Sequence, residues 1–340
     1  MAELAIDSGR TEPSGGQEPG EVLLSVRGLT VDVPSAGGWV RVVDGIDLDV
    51  PRRQVVGVAG ESGSGKTMAL KALLGLAPPG SRLGGRALFE GRDLLSLGRG
   101  ELRSVRGRQI AMVFQDPTTS LHPMLSIGTQ LTDHLKAHFG MSRAARRRRA
   151  IELLSMVRIP DPEGALRAYS HQFSGGMRQR IAIAVALACD PKLLIADEPT
   201  TALDVTVQAG VLGMLDRLRR DSDVSIVLIT HDLGVMSALA DQVYVCYSGR
   251  LIETGPAARV LTAARHPYTA GLLAALPHSA DSDGELVPIP GTPPSPAARP
   301  GGCAFHPRCQ YAVDICREQS PALVRHGPQI GLACHEDPFA

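Results

Sequence analysis

The stretch Gly60-Glu61-Ser62-Gly63-Ser64-Gly65-Lys66-Thr67 decides how the rest of the chain is read. It fits the pattern G-x-x-x-x-G-K-[ST]. The residue types follow from the task of holding phosphate. Glycines let the backbone curl so that N–H groups point inward at anionic oxygens. A helix beginning near Lys66 aims the positive end of its dipole at the same place. Lys66 supplies a point charge for β- and γ-phosphates, and the Thr67 hydroxyl ligates Mg2+. The flanks agree. The apolar run Gln54-Val-Val-Gly-Val-Ala suits a buried strand, and a helix is expected over Lys66–Leu76. Gly60, Ser62, Gly63, Ser64, Gly65, Lys66 and Thr67 are therefore candidate nucleotide-binding residues.

Upstream of this loop, Leu24-Ser-Val-Arg and the run Val42–Val50 alternate apolar and polar residues, as half-buried antiparallel strands do. Downstream, residues 130–188 read mostly as helix, with apolar positions at Ile151, Leu153, Leu154 and Val157. The basic run Arg146–Arg149 reads as a solvated face, with a partner surface as the alternative. Two buried strands, Lys192–Ala196 and Ser225–Thr230, bracket a helix near Val205–Arg220. Strand and helix alternating in this way imply an α/β core with a parallel sheet. The first of these strands ends in Asp197 and Glu198. In a phosphate-loop fold Asp197 holds Mg2+, directly or through water. Glu198 stands where a water attacks the γ-phosphate, as base or water-orienting group. Two acids after a strand otherwise mark a helix N-terminus; beside the phosphate loop the catalytic reading takes precedence.

Composition excludes several classes. The chain has 340 residues, with 35 Lys+Arg against 35 Asp+Glu, so no basic surplus favours nucleic acid or an anionic membrane. Aromatics are 4%, too few for a base-stacking platform. The strongly apolar stretch Ile181–Cys189 is far shorter than the roughly 20 residues of a membrane span. The N-terminus lacks a secretory n-region and h-region. The expectation is a protein that stays in the cytoplasm, with any membrane span supplied by another subunit.

The ends differ from the middle. Residues 1–21 are polar and Gly-rich and read as a disordered tail. The expected nucleotide-binding domain runs over 22–276. Segment 277–300 holds seven prolines and reads as a stiff, extended linker that separates a Cys-rich region, 301–340, from the main domain. Cys189 and Cys246 sit among apolar residues and read as core. Cys303, Cys309, Cys316 and Cys334 fall in the last 38 residues, spaced C-x5-C-x6-C-x17-C. In a reducing compartment such a cluster reads as a metal site rather than two disulfides. Four thiolates suit a [4Fe–4S] cluster or tetrahedral Zn2+, with His306 and His335 as alternative zinc ligands.

Further motifs carry a family resemblance. Tyr169-Ser-His-Gln-Phe-Ser174-Gly175-Gly176-Met177-Arg-Gln-Arg resembles the signature motif of ATP-binding cassette (ABC) proteins. Gln115, in Val113-Phe-Gln-Asp-Pro, matches the family's Q-loop. Thr201-Ala-Leu-Asp204 matches its D-loop, and His231 its switch histidine. With the phosphate loop and the acid-tipped strand, six elements stand in the family's order over roughly residues 22–270. The resemblance implies a cassette with a RecA-like core, an antiparallel β subdomain and an α-helical signature subdomain, here with a small Cys-rich tail. It implies ATP and Mg2+ as cofactors. Glu198, His231 and Gln115 are then catalytic, and Thr67, Gln115 and Asp197 hold Mg2+. Ser174, Gly175, Gly176 and Asp204 serve the ATP bound to an opposite cassette, so two chains build two composite sites. Met177 stands where many cassettes have Gln, and Phe173 where many have Leu; neither change removes the Ser or backbone donors. Trp39, 27 residues before Lys66, is the candidate for stacking on adenine; Val33 occupies the other plausible place and cannot stack.

The phrase His266-Pro-Tyr268-Thr-Ala-Gly-Leu-Leu and the tail Gly302-Cys303-Ala-Phe-His-Pro-Arg-Cys309 resemble the end of cassettes in the dipeptide/oligopeptide importer branch. In that branch the cysteine pattern is associated with a [4Fe–4S] cluster, which tips the choice away from zinc. The resemblance implies an ATPase subunit paired with a second, non-identical cassette, two membrane permeases and, indirectly, an extracellular binding protein. It places the chain at the cytoplasmic face of the inner membrane. Importers of nickel or glutathione remain open at this level. So does a non-transport ABC ATPase: a translation factor, or an accessory protein of phosphonate breakdown. Fused double cassettes and a long coiled coil, which translation and DNA-repair types would need, are not present in the sequence.

Overall fold

The computed structural model describes residues 21–116, 120–201, 203–276, 288–327 and 329–340. The expected disordered tail, apart from Glu21, and the first part of the proline segment, 277–287, lie outside the described residues.

The strands are β1 (Val22–Ser35), β2 (Gly38–Pro51), β3 (Val55–Ala59), β4 (Arg82–Phe89), β5 (Arg92–Asp93), β6 (Ile110–Val113), β7 (Leu193–Asp197), β8 (Ser225–Ile229), β9 (Gln242–Tyr247), β10 (Arg250–Pro256), β11 (Val324–Arg325) and β12 (Gly331–Leu332). The helices are α1 (Lys66–Leu73), α2 (Arg99–Val105), α3 (Ile127–Phe139), α4 (Arg143–Met156), α5 (Pro162–Ala165), α6 (Gly175–Ala186), α7 (Val205–Asp221), α8 (Leu233–Leu239), α9 (Ala257–Val260), α10 (Pro267–Ala274) and α11 (Asp314–Glu318).

Two sheets result. One is antiparallel, in the order β2-β1-β4-β5, and the other runs β11-β12-β10-β9-β3-β8-β7-β6. In the larger sheet β6, β7, β8, β3 and β9 are parallel neighbours. Their continuous apolar sequences are buried on both faces, as in β3 Val-Val-Gly-Val-Ala and β8 Ser-Ile-Val-Leu-Ile. β2 instead alternates, with Ile46, Leu48 and Val50 buried and the residues between them only partly so.

Helix starts follow their caps. Ser126, Ser142, Ser174 and Asp204 each accept a hydrogen bond from a backbone N–H in the first turn of the helix they open. α1 stops at Leu73, short of the expected Leu76. Gly75 adopts a positive φ of 59°, which turns the chain out of the helix. The basic run on α4 lies at the surface, where Arg147 pairs with Glu163 and Arg149 with Asp190.

The expectation that the proline segment holds the Cys-rich tail apart is corrected. β12 pairs with β10, with Glu253 opposite Leu332, so the tail extends the main sheet. Arg299, at the end of the proline segment, donates to the Ser248 hydroxyl, the Asp44 carboxylate and the Arg41 carbonyl. Phe305 is buried in one apolar cluster with Ala59, Tyr247 and Tyr268. The physical reason is core size: a 40-residue tail buries too little by itself and shares the cassette's core instead.

Candidate nucleotide site

The phosphate loop joins β3 to α1. Gly60 has φ 141°, and a Cβ there would run into the Cys246 carbonyl. Gly63 and Gly65 also take positive φ, 80° and 96°. Beneath the loop, the buried Cys246 thiol donates to the Ser64 carbonyl at 3.0 Å. Burial pushes that thiol up to about 11, which keeps its proton on sulfur. Cys246 is thus core, as expected, and also braces the loop. Lys66 is 5% exposed, and its Nζ donates to the carbonyls of Gly60 (2.6 Å) and Glu61 (2.8 Å) and to Ser64 Oγ (3.2 Å). Burial lowers its pKa, opposed by the surrounding acids.

β7 delivers the two carboxylates. Asp197 is 2% exposed and accepts from Thr67 Oγ1 at 2.7 Å. Burial raises its pKa, while the Thr67 bond opposes the rise. A hydroxyl and a carboxylate side by side at the start of α1 are the hard oxygen donors that Mg2+ prefers. Glu198 has a positive φ of 47°, a conformation costing on the order of 1–3 kcal/mol for a non-glycine residue. Its surroundings hold it there. Its N–H donates to the Ile229 carbonyl at 2.8 Å. Its carboxylate accepts from Gln115 Nε2 (2.7 Å) and Thr201 Oγ1 (3.0 Å), and His231 Nδ1 lies 3.2 Å away.

The structure therefore gathers Lys66, Thr67, Asp197, Gln115, Glu198 and His231 into one chain of contacts at the C-terminal ends of parallel strands. That is where open α/β sheets bind ligands. Gln115 engages Glu198, whereas the sequence reading also set it at Mg2+. Thr201 is an addition. Its position three residues beyond Glu198 is the sequence signal for it.

Ser174, Gly175 and Gly176 form the start of α6. Ser174 Oγ accepts from Met177 N–H at 3.3 Å. A Cβ at Gly176 would collide with Val207, so this glycine lets α6 pack against α7. Among the described residues, a Cβ at Gly175 would meet only Leu203, at 3.9 Å. Asp204 caps α7 through Val207 N–H at 2.9 Å. The bonds of both segments are local. Phe173 and Met177 pack against the core. Trp39 lies at the β1–β2 turn, 44% exposed, with the Arg82 guanidinium 3.9 Å from its ring centre. One ring face is thus covered by a cation. Val33 sits opposite Val40 in the same hairpin.

In the tail, Cys303, Cys309, Cys316 and Cys334 line one small cavity together with His306 and His335. All four are free thiols. Burial pushes Cys303 up to about 11, and the neighbouring cysteines add to the rise. Among the described residues, no three His, Cys, Asp or Glu side chains stand at metal-holding spacing. His306 Nδ1 pairs with the Cys303 carbonyl and His335 Nε2 with that of Gln319, so both imidazoles are engaged with backbone.

Comparison with known proteins agrees with this geometry. A family model described as "ABC transporter" matches residues 43–201, and "Oligopeptide/dipeptide transporter, C-terminal region" matches 252–316. The oligopeptide transport ATP-binding protein OppD of Salmonella typhimurium is 45% identical over 317 residues, 93% of this chain and 94% of that protein. The dipeptide transport ATP-binding protein DppD of Escherichia coli is 46% identical over 302 residues, covering 88% and 92%. A solved dimer of the bacterial ABC transporter cassette MJ0796 superposes with a TM-score of 0.62. It is 26% identical and covers 69% of this chain and 98% of that one. The chain belongs to the ATP-binding proteins of ABC transporters.

Proposed function

We propose that this chain binds and hydrolyses ATP to energise an importer of di- or oligopeptides. The observation that carries the reading is the continuous contact path from the phosphate loop through Thr67 and Asp197 to Glu198, Gln115 and His231. Lys66 and the loop amides hold phosphate. Thr67 and Asp197 would hold Mg2+, which would offset charge on the β- and γ-phosphates. Glu198 takes the proton of the attacking water, Gln115 and Thr201 fix its carboxylate, and His231 reaches the γ-phosphate side. Trp39 stacks on adenine through the face that Arg82 leaves open. The relatives named for oligopeptide and dipeptide transport support the cargo.

The exposed Ser174, with Gly175 behind it, and the exposed Asp204 serve a second cassette; a solved cassette of similar fold is a dimer. The partner is a homologous, non-identical chain. Among the described residues no helix is long and apolar enough to cross a membrane. Two permease subunits therefore supply the path, fed by an extracellular binding protein, with this chain on the inner membrane's cytoplasmic face. ATP-driven uptake of labelled peptide by the reconstituted complex tests the reading. Uptake of nickel or glutathione in its place, or co-purification with ribosomes and no permease, would replace it.

For the tail, a metal centre at Cys303, Cys309, Cys316 and Cys334, [4Fe–4S] or alternatively Zn2+, rests on the resemblance and the shared cavity, while among the described residues no three of these side chains stand at metal-holding spacing. The metal would cross-link a segment with little core of its own. Anaerobically purified protein should be brown and contain iron. Colourless protein with stoichiometric zinc selects zinc, and neither metal with four titratable thiols rejects both.

A further inference from the structure

Glu61, the first variable position of the phosphate loop, is held from outside the loop. Its carboxylate accepts two parallel bonds from Arg308, Nη1 to Oε2 at 2.6 Å and Nη2 to Oε1 at 3.0 Å. Its N–H donates to Tyr268 Oη at 2.8 Å. Its carbonyl accepts from Lys66 Nζ at 2.8 Å, the lysine that must reach phosphate. Every polar group of Glu61 is thus engaged, two of the three by residues near the C-terminal end of the chain.

Arg308 is built to hold one position. Its side chain is 5% exposed. Nε donates to the Pro290 carbonyl at 2.8 Å, and Nη1 also approaches Tyr247 Oη at 3.4 Å. Tyr247, Tyr268 and Phe305 pack as an aromatic cluster beside it, with ring centres 4.7–5.4 Å apart. A guanidinium fixed on several sides is preorganised for a bidentate carboxylate, and lysine cannot reproduce the fork. Immediately before Glu61, Gly60 lies so close to the Cys246 carbonyl that no side chain fits there. The pair therefore sets where the loop turns next, at Ser62 and Gly63.

We propose that Arg308 is a positioning residue for ATP: acting through Glu61, and seconded by Tyr268, it holds the phosphate loop in the shape that binds phosphate. The proposal rests on the ATP-binding reading above. It makes the C-terminal segment part of the nucleotide site, although it touches no phosphate. Breaking the pair leaves a buried charge uncompensated and frees the loop's first turn, so affinity falls while the hydrolytic carboxylate is untouched.

Mg·ATP binding by calorimetry on the full chain, for wild type, Glu61→Gln, Arg308→Gln, Arg308→Lys and the double Gln variant, tests this. Arg308→Gln and Glu61→Gln are each expected to weaken binding about 10-fold. The double variant should be no weaker than either single one, because both remove the same contact. Arg308→Lys should recover part of the loss. Glu61→Gln leaves the buried Arg308 without its counter-charge and should lower the melting temperature, so binding is compared well below each variant's own melt, which separates positioning from unfolding. Wild-type affinity in Glu61→Gln, or additive losses in the double variant, would overturn the proposal. If wild type binds no Mg·ATP, or Lys66→Ala binds as well as wild type, the ATP-binding reading itself fails and takes this inference with it.

Discussion

Glu198 shows how much a single position carries. A carboxylate in a left-handed backbone conformation is unfavourable in itself, yet here it is held by its own N–H bond and three side chains. Motif order in the sequence was enough to name Glu198, Gln115 and His231. Thr201 offers the sequence only its spacing of three from Glu198, which the turn of the folded chain converts into a 3.0 Å contact. Gly60 is the other position where geometry decides. Its φ of 141° and the Cys246 carbonyl both exclude a side chain. Gly60→Ala should therefore displace the loop and weaken Mg·ATP binding by more than about tenfold, since phosphate contacts tolerate little misplacement. Wild-type affinity for this variant would show that the loop moves freely over Cys246. Gly63, with nothing among the described residues within 4 Å of a Cβ, faces the backbone penalty of its positive φ.

At the scale of elements, the strands flanking the phosphate loop were legible because buried parallel strands read as unbroken apolar runs. Helices α3, α4 and α6 were legible from helical spacing. The pairing of β12 with β10 was not, because two residues of strand leave no periodicity to detect. The same holds for α10, whose start is fixed by a buried histidine. His266 is 2% exposed; its Nδ1 accepts from Tyr268 N–H at 3.0 Å, and it hydrogen-bonds the Ala333 backbone. Burial lowers it from 6.5 to about 3, so it is neutral in the fold. A depressed histidine means that the unfolded chain takes up the proton first. Its contribution is complete above pH 6.5 and is lost as pH falls from 6.5 towards 3. The slope is about 1.4 kcal/mol per pH unit, roughly 2 kcal/mol between pH 6.5 and 5. Denaturant melts of wild type at these two values should show the loss, and His266→Gln should flatten it. Equal pH dependence in both would assign the acid sensitivity elsewhere.

At the scale of the whole molecule, the tail is part of the machine. Arg299 ties it to β2, β12 joins it to the main sheet, and Arg308 reaches the phosphate loop. The proline count suggested a spacer because composition reports chain stiffness and not where the chain lies. The cysteine spacing suggested a metal site; the four thiols do line one cavity, but among the described residues no three stand at metal-holding spacing. Ser174 and Asp204 are exposed and each caps its own helix; on the proposed function both serve a second cassette. On the proposed function, hydrolysis is a property of the assembly, with Glu198 as its chemical centre. The direct measurement is steady-state ATP hydrolysis by the assembled complex, with Mg·ATP binding measured alongside, for wild type and Glu198→Gln. The amide keeps the shape and cannot take the proton, so binding should persist while turnover at this site falls at least about 100-fold. Wild-type turnover at this site in Glu198→Gln would contradict the account.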